Sequence, residues 1–130
     1  MAFDWEEYLR IANFLRNPPP SSFSLEAAQR SAVSRAYYAA FCCLRNYAEK
    51  HLGFRRKKGP SDHQKLGEYL KKRGEDWRSI VDCLRELRVW RNDCDYDDEV
   101  GDLNTMVSNA ISTAEHIIRS LGHSRNSVCG

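Results

Sequence analysis

No apolar run in the chain approaches the ~18 residues that a membrane-spanning helix needs, so a spanning segment is excluded. No segment alternates apolar and polar residues with period two, so strands are not expected. No internal repeat marks a solenoid. The five cysteines are odd in number and include no CxxC pair, which argues against both a disulfide framework and a structural zinc site. Cys42 and Cys43 are adjacent in a helical pattern, and buried, reduced thiols are the expectation. The opening residues, MAFDWEEYLR, are acidic where a secretion signal is basic and then apolar, which predicts a cytoplasmic protein. Exposed aromatics suited to base stacking are not evident.

What is present fits one folded domain. The chain has 130 residues, 42% of them hydrophobic and 29% charged, which separates it from disordered chains. The domain is expected over 1–122, with a frayed tail at 123–130 after Gly122. The net charge of +2 hides an asymmetry. Residues 53–91 hold twelve Lys/Arg against six Asp/Glu, and residues 92–130 hold two against seven. Such a division suits a phosphate backbone or an oppositely charged partner.

Apolar spacing reads as helix almost throughout. Trp5, Tyr8, Leu9, Ala12 and Leu15 share one face, and NPPPSSF then breaks that helix. Ser24 is placed to cap a long second helix ending at Gly53. Val33, Ala36, Tyr37, Ala40, Leu44 and Tyr47 form one stripe of it, with Tyr38, Phe41, Cys42 and Leu52 on the opposite side. A helix apolar on two faces belongs at the centre of a bundle or at a subunit interface. Ser61 is expected to cap a short third helix, DHQKLGEYLKKR, stopped near Gly74. The fourth helix begins near Asp76 with Trp77, Ile80, Val81, Leu84 and Leu87 inward. The last presents Leu103, Met106, Val107, Ala110, Ile111, Ala114, Ile117, Ile118 and Leu121. The fold predicted is all-α: a bundle of four to five helices, two long and three shorter, with a long central second helix.

The stretch RNDCDYDD, residues 91–98, carries the densest chemistry. Asp93, Asp95 and Asp97 have the alternate spacing of a calcium loop. Asp98 stands where that loop needs glycine, and Asn104 where it needs a bidentate glutamate, so no metal is predicted. A simpler reading is an Arg91–Asp95 pair at i, i+4 with the remaining acids in water, worth ~0.2–0.5 kcal/mol. Yet Arg91 continues the apolar face of the fourth helix, and Arg35 lies on the second helix beside Tyr38 and Phe41. Guanidinium groups on inward faces need anionic or polar partners. The expectation is that Arg35 or Arg91 reaches Asp95, with Tyr38 lining the same pocket.

SRAYYAAFCCLRNYAEK (34–50), together with LRELRVWRNDCDYDD (84–98), resembles the HEPN domain. The similarity runs from about Ser24 to Leu121, and DHQKLGEYL (62–70) resembles the histidine-bearing segment between the two blocks. The resemblance implies an all-α, often dimeric fold, found in toxins, in partners of small nucleotidyltransferases, in antiviral systems and in RNA-processing enzymes. Active HEPN ribonucleases carry R-x4–6-H. Here Arg91 supplies the arginine, but Tyr96, Asp97 and Asp98 occupy the three histidine positions. The chain looks like the variant with R-x-x-x-D-Y.

Metal-free RNA cleavage needs a base for the 2′-hydroxyl and an acid for the leaving oxygen, roles that histidine fills near neutral pH. Arginine stabilises the phosphorane but does not exchange its proton. Asp95 could act as a base, and tyrosine is a poor acid at pH 7. His63 is the one histidine considered as a replacement; otherwise it is a capping or surface residue of the third helix. Arg55, Arg56, Lys57 and Lys58 form a basic loop, either solvated or in contact with phosphate, with Lys71, Lys72 and Arg73 nearby. Three classes follow. The first is a non-catalytic or weakly active module of a toxin–antitoxin-like or defence system, binding RNA, a nucleotide or a nucleotidyltransferase partner. The second is a metal-independent endoribonuclease using Arg91 with Asp95, Tyr96 or His63. The third is a structural bundle. No cofactor is expected, and a homodimer is.

Overall fold

Five helices follow one another: α1 (Glu6–Leu15), α2 (Leu25–His51), α3 (Asp62–Lys71), α4 (Glu75–Tyr96) and α5 (Leu103–Cys129). The structure is a computed structural model and describes residues 2–122 with their side chains. There is no strand among the described residues, and no helix among them is long and apolar enough to cross a membrane. The tail expected to fray, 123–130, lies outside the fully described residues. Three helices are long and two short, where two long and three short were expected. The difference is α4, which continues through the acidic stretch to Tyr96.

The start of α2 is set locally. Ser24 is extended, and its Oγ accepts a hydrogen bond from the Ala27 N–H at 3.1 Å. Glu26 in the first turn and Lys50 in the last both complement the helix dipole. At the far end Gly53 takes φ +81°, and a Cβ there would meet the Tyr69 hydroxyl at 3.2 Å. The positive φ favours glycine, and the close hydroxyl leaves little space for a side chain. The Tyr69 hydroxyl donates to the Leu52 carbonyl at 2.5 Å, which ties this turn to α3.

α2 is central, in contact with α1, α3, α4 and α5. Ala32, Ala36, Ala39 and Ala40 are fully buried, and these small side chains let neighbouring helices approach closely. Around them Tyr37, Leu44, Leu66, Leu70, Leu87, Ile111 and Ile117 are also fully buried. Each such side chain contributes about 1.5–3 kcal/mol by leaving water. The inward stripes predicted for α1, α4 and α5 supply much of the remaining core.

Two predicted boundaries change. Ser61 makes no side-chain cap of α3. Its neighbour Asp62 is buried instead, and its carboxylate accepts from the Lys57 and Lys58 backbone N–H groups at 2.8 and 2.9 Å. The acid thereby folds the basic loop back onto the helix. α3 ends at Lys71 rather than near Gly74, and α4 begins at Glu75, directly after Gly74 with φ +124°.

Candidate functional site

α4 carries its apolar face from Ile80 through Leu84 and Leu87 to Arg91 and Cys94, all buried. Arg91 is only 9% exposed, so a guanidinium occupies a core position. The face of α2 opposite it carries Ser34, Tyr37 and Tyr38, which offer hydroxyl groups and aromatic faces to this polar site. Arg91 Nη1 donates to the Tyr38 hydroxyl at 2.9 Å, and Nη2 donates to Asn92 Oδ1 at 2.7 Å. Its Cζ lies 5.3 Å from the Tyr37 ring centre and 5.5 Å from that of Tyr38, within cation–π range. Arg91 Nε is buried and has no acceptor among the described residues.

Asp95 is close but secondary. Its Oδ2 is 3.6 Å from Arg91 Nη1, an ion pair longer than a hydrogen bond, and it accepts from Ser34 Oγ at 3.5 Å. Arg35 departs from expectation further. It is half-buried and makes no ion pair among the described residues. It stacks instead between aromatic faces, 4.6 Å from the Tyr8 ring centre and 5.5 Å from Tyr38. The π faces replace the carboxylate or phenolic oxygen that a hydrogen bond would have required.

Arg35, Tyr38, Arg91, Asp95 and Tyr96 line one groove of about 460 Å³. The structure thus brings together five residues named from sequence. Tyr96 stands at its edge, 74% exposed. Asp93 and Asp95 lie on the last turns of a helix, and among the described residues no group of three His, Cys, Asp or Glu is placed to hold a metal ion.

His63 lies outside that groove but next to it. It is neither a cap nor a surface residue. Its ring stacks on Phe41 with centres 4.0 Å apart and planes 10° apart. Its Nδ1 shares a hydrogen bond with the hydroxyl of Tyr37, a fully buried residue. Burial, and then the positive charges of Arg88 and Arg91, lower the His63 pKa to about 4, so the imidazole is neutral at pH 7. Burial likewise pushes the Tyr37 phenol above its ordinary value, so it keeps its proton.

The basic loop does not act as one patch. Arg56 is committed to Glu49, with which it forms a tight two-point ion pair, and to Asn46 Oδ1 at 3.0 Å. Arg55, Lys57 and Lys58 are exposed and stand apart from the Arg91 groove.

Three features escaped the sequence reading. The Tyr37–His63 pair joins residues 26 apart in the chain, which helical spacing does not reveal. Arg88, with a buried Nε that has no acceptor, was legible only as part of an Arg85–Arg88–Arg91 series at three-residue spacing. Arg30 lies outside both sequence blocks. It reaches the end of α4 and donates to the carbonyls of Cys94, Asp97 and Asp98 at 3.1, 2.5 and 3.0 Å. That fork offsets the unfavourable placing of acids at a helix C-terminus.

No curated protein and no solved structure matches the chain. The model of the HEPN domain family matches residues 5–124. That is nearly the whole sequence, and the chain belongs to the HEPN domain family.

Proposed function

We propose that this chain is an RNA-associated HEPN module that binds phosphate groups at the Arg91 groove and does not cleave the strand. Its main support is the chemistry of that groove. Arg35 and Arg91 face it with only Asp95 close by to offset them. Guanidinium groups suit phosphate oxygens through paired N–H donors. Cleavage would also need a group that exchanges protons near neutral pH. His63, with a pKa of about 4 and its Nδ1 engaged by Tyr37, is a weak base and is not the imidazolium that could serve as an acid at pH 7. Tyr96 is turned to solvent.

Membership of the family supports a place in a toxin–antitoxin-like or defence system, with a small nucleotidyltransferase as partner. It also supports a homodimer. Tyr96, which lines the groove, and Val89, seven residues earlier on the same face of α4, are 74% and 54% exposed and offer apolar surface that a second copy would cover. Light scattering should then read twice the 15.0 kDa of one chain.

The decisive experiment incubates the purified protein with mixed RNA in chelator and measures binding at several salt concentrations. The RNA should survive, and affinity should fall with salt as counterions are released. Arg91→Ala should abolish that binding. Cleavage that persists in chelator and disappears in Arg91→Ala would establish the ribonuclease reading instead.

A further inference from the structure

A second cavity, of about 380 Å³, lies between α3 and α4. Its floor is the Tyr37–His63 pair. Arg85 and Arg88 on α4 and Lys71 on α3 line it, and Glu68 is the only acid among its lining residues. The spacing of these residues explains the convergence. Val81, Leu84, Arg85 and Arg88 share one face of α4, and Gln64, Gly67, Glu68 and Lys71 share one face of α3. Glu68 is engaged by Gln64, whose Nε2 donates to Glu68 Oε1 at 3.0 Å. The cations are not engaged in this way. No side-chain hydrogen bond or ion pair holds Arg85, Arg88 or Lys71 among the described residues, and the Arg88 Nε–H is buried without an acceptor.

Gly67 adds an independent sign. A glycine inside a helix costs about 1 kcal/mol against alanine. A Cβ at Gly67 would meet Val81 Cγ1 at 3.4 Å, an ordinary contact, so packing does not demand glycine here. Its missing side chain widens the cleft.

We propose that the cleft between α3 and α4 binds a phosphate monoester, whose oxygens are taken by Arg88, Arg85 and Lys71 above the His63–Tyr37 pair. Three cations against one engaged carboxylate match a dianion better than the single charge of a diester. The buried floor also suits the end of a molecule rather than a strand passing through. This seat is separate from the Arg91 groove and stands whether or not RNA binds there.

Binding should be coupled to a proton. His63 faces Arg88 and Arg91 from α4, Arg45 and Tyr37 from α2, and Asp62 from its own helix. Arg85, Lys71 and Glu68 complete the cleft around it. Burial first, and then the nearby guanidinium charges, hold the imidazole neutral, and a bound anion cancels the second contribution. Phosphate should therefore raise the proton affinity of His63, and by linkage acid should tighten the binding of a dianion of fixed charge.

The test follows the His63 ring proton by NMR from pH 3.5 to 7, in inorganic phosphate, singly charged over most of that range, in sulfate, doubly charged throughout, and in chloride of equal ionic strength. The midpoint should rise in phosphate and by about one unit in sulfate, a tenfold gain in proton affinity. His51 and His116, which do not line the cleft, serve as reference resonances. Arg88→Gln should remove the rise, and Gly67→Ala should reduce it. Arg91→Gln should keep it, which separates this seat from the groove. A short RNA with a 5′-phosphate should reproduce the rise if the ligand is a strand end, and its 5′-hydroxyl counterpart should not. A response to inorganic phosphate but to neither RNA would assign the seat to a small monoester. A midpoint that does not move in phosphate, or moves equally in Arg88→Gln, would overturn the proposal.

Discussion

Arg91 on α4 donates to the Tyr38 hydroxyl on α2 at 2.9 Å, while Asp95, four residues along its own helix, stays at 3.6 Å. The partner of this guanidinium is thus a neutral phenol on another helix before it is a carboxylate on its own. Double-mutant cycles should reflect that order. Arg91→Ala with Tyr38→Phe should show a coupling of about 1–2 kcal/mol, typical of a hydrogen bond to a charged group. Arg91→Ala with Asp95→Ala should show less, about 0.5 kcal/mol, because this i, i+4 pair stands at 3.6 Å, beyond a hydrogen bond. Urea unfolding of the two sets of variants measures both. The larger coupling falling on Asp95 would reverse the assignment.

Acid should weaken the fold in two stages. His63 takes up its proton near pH 4 in the native state and near 6.5 when unfolded. Between those values the unfolded chain binds more protons, so stability is full above about pH 6.5 and falls as the solution is acidified towards 4. With allowance for partial solvent screening, the loss is on the order of 2 kcal/mol. Glu49, held down to about 2 chiefly by its hydrogen bond from Arg56, adds a second loss as pH falls from about 4.5 towards 2. Denaturant unfolding at pH 7, 5 and 3 should resolve the stages. His63→Gln should flatten the first and leave the second.

The fold was legible because helical periodicity is a local property. Val33, Ala36, Tyr37, Ala40 and Leu44 announce a buried stripe wherever the rest of the chain goes, and all five are fully buried. The same reasoning placed Arg91 at the core edge, since it continues the stripe of α4 by one turn. What periodicity does not carry is the choice of partner between helices. An inward guanidinium at Arg35 calls for a carboxylate or phenolic oxygen, yet aromatic faces from α1 and α2 supply the compensation. From sequence, His63 is either a replacement for the missing motif histidine or a capping or surface residue of α3. Its ring stacks on Phe41 because α3 is laid across α2, a relation set by the loop from 52 to 61 and not by any nearby spacing.

The acids of RNDCDYDD should depend on Arg30. Three carbonyls at the end of α4 accept from its guanidinium, and Glu26 holds its Nε at 3.1 Å. Arg30→Ala should cost about 1–2 kcal/mol, because it strips the cap and leaves the dipole opposed to Asp93, Asp95, Asp97 and Asp98. Arg30→Lys should recover less than half of that. One ammonium keeps the charge but cannot reproduce the fork to three oxygens. Amide hydrogen exchange over 92–98 should quicken in both variants. Exchange unchanged in Arg30→Ala would show that the turn holds itself.

RRKK should divide into one structural residue and three that bear on ligands. Arg56 bonds to Glu49 and Asn46, both on α2, with its own side chain 31% exposed and that of Glu49 23% exposed. Its removal breaks a partly buried pair and leaves Glu49 without its partner, so Arg56→Ala should lower stability by about 1–2 kcal/mol. It should leave the salt dependence of RNA binding unchanged, because a guanidinium already engaged by a carboxylate releases no counterion from a phosphate. Arg55, Lys57 and Lys58 are exposed, and replacing them should leave stability within ~0.5 kcal/mol. If this loop touches the strand, each of those three replacements should reduce the slope of log affinity against log salt by about one. If the slope holds in the triple variant and falls in Arg91→Ala, the strand is held by the groove alone and the loop charges are solvated.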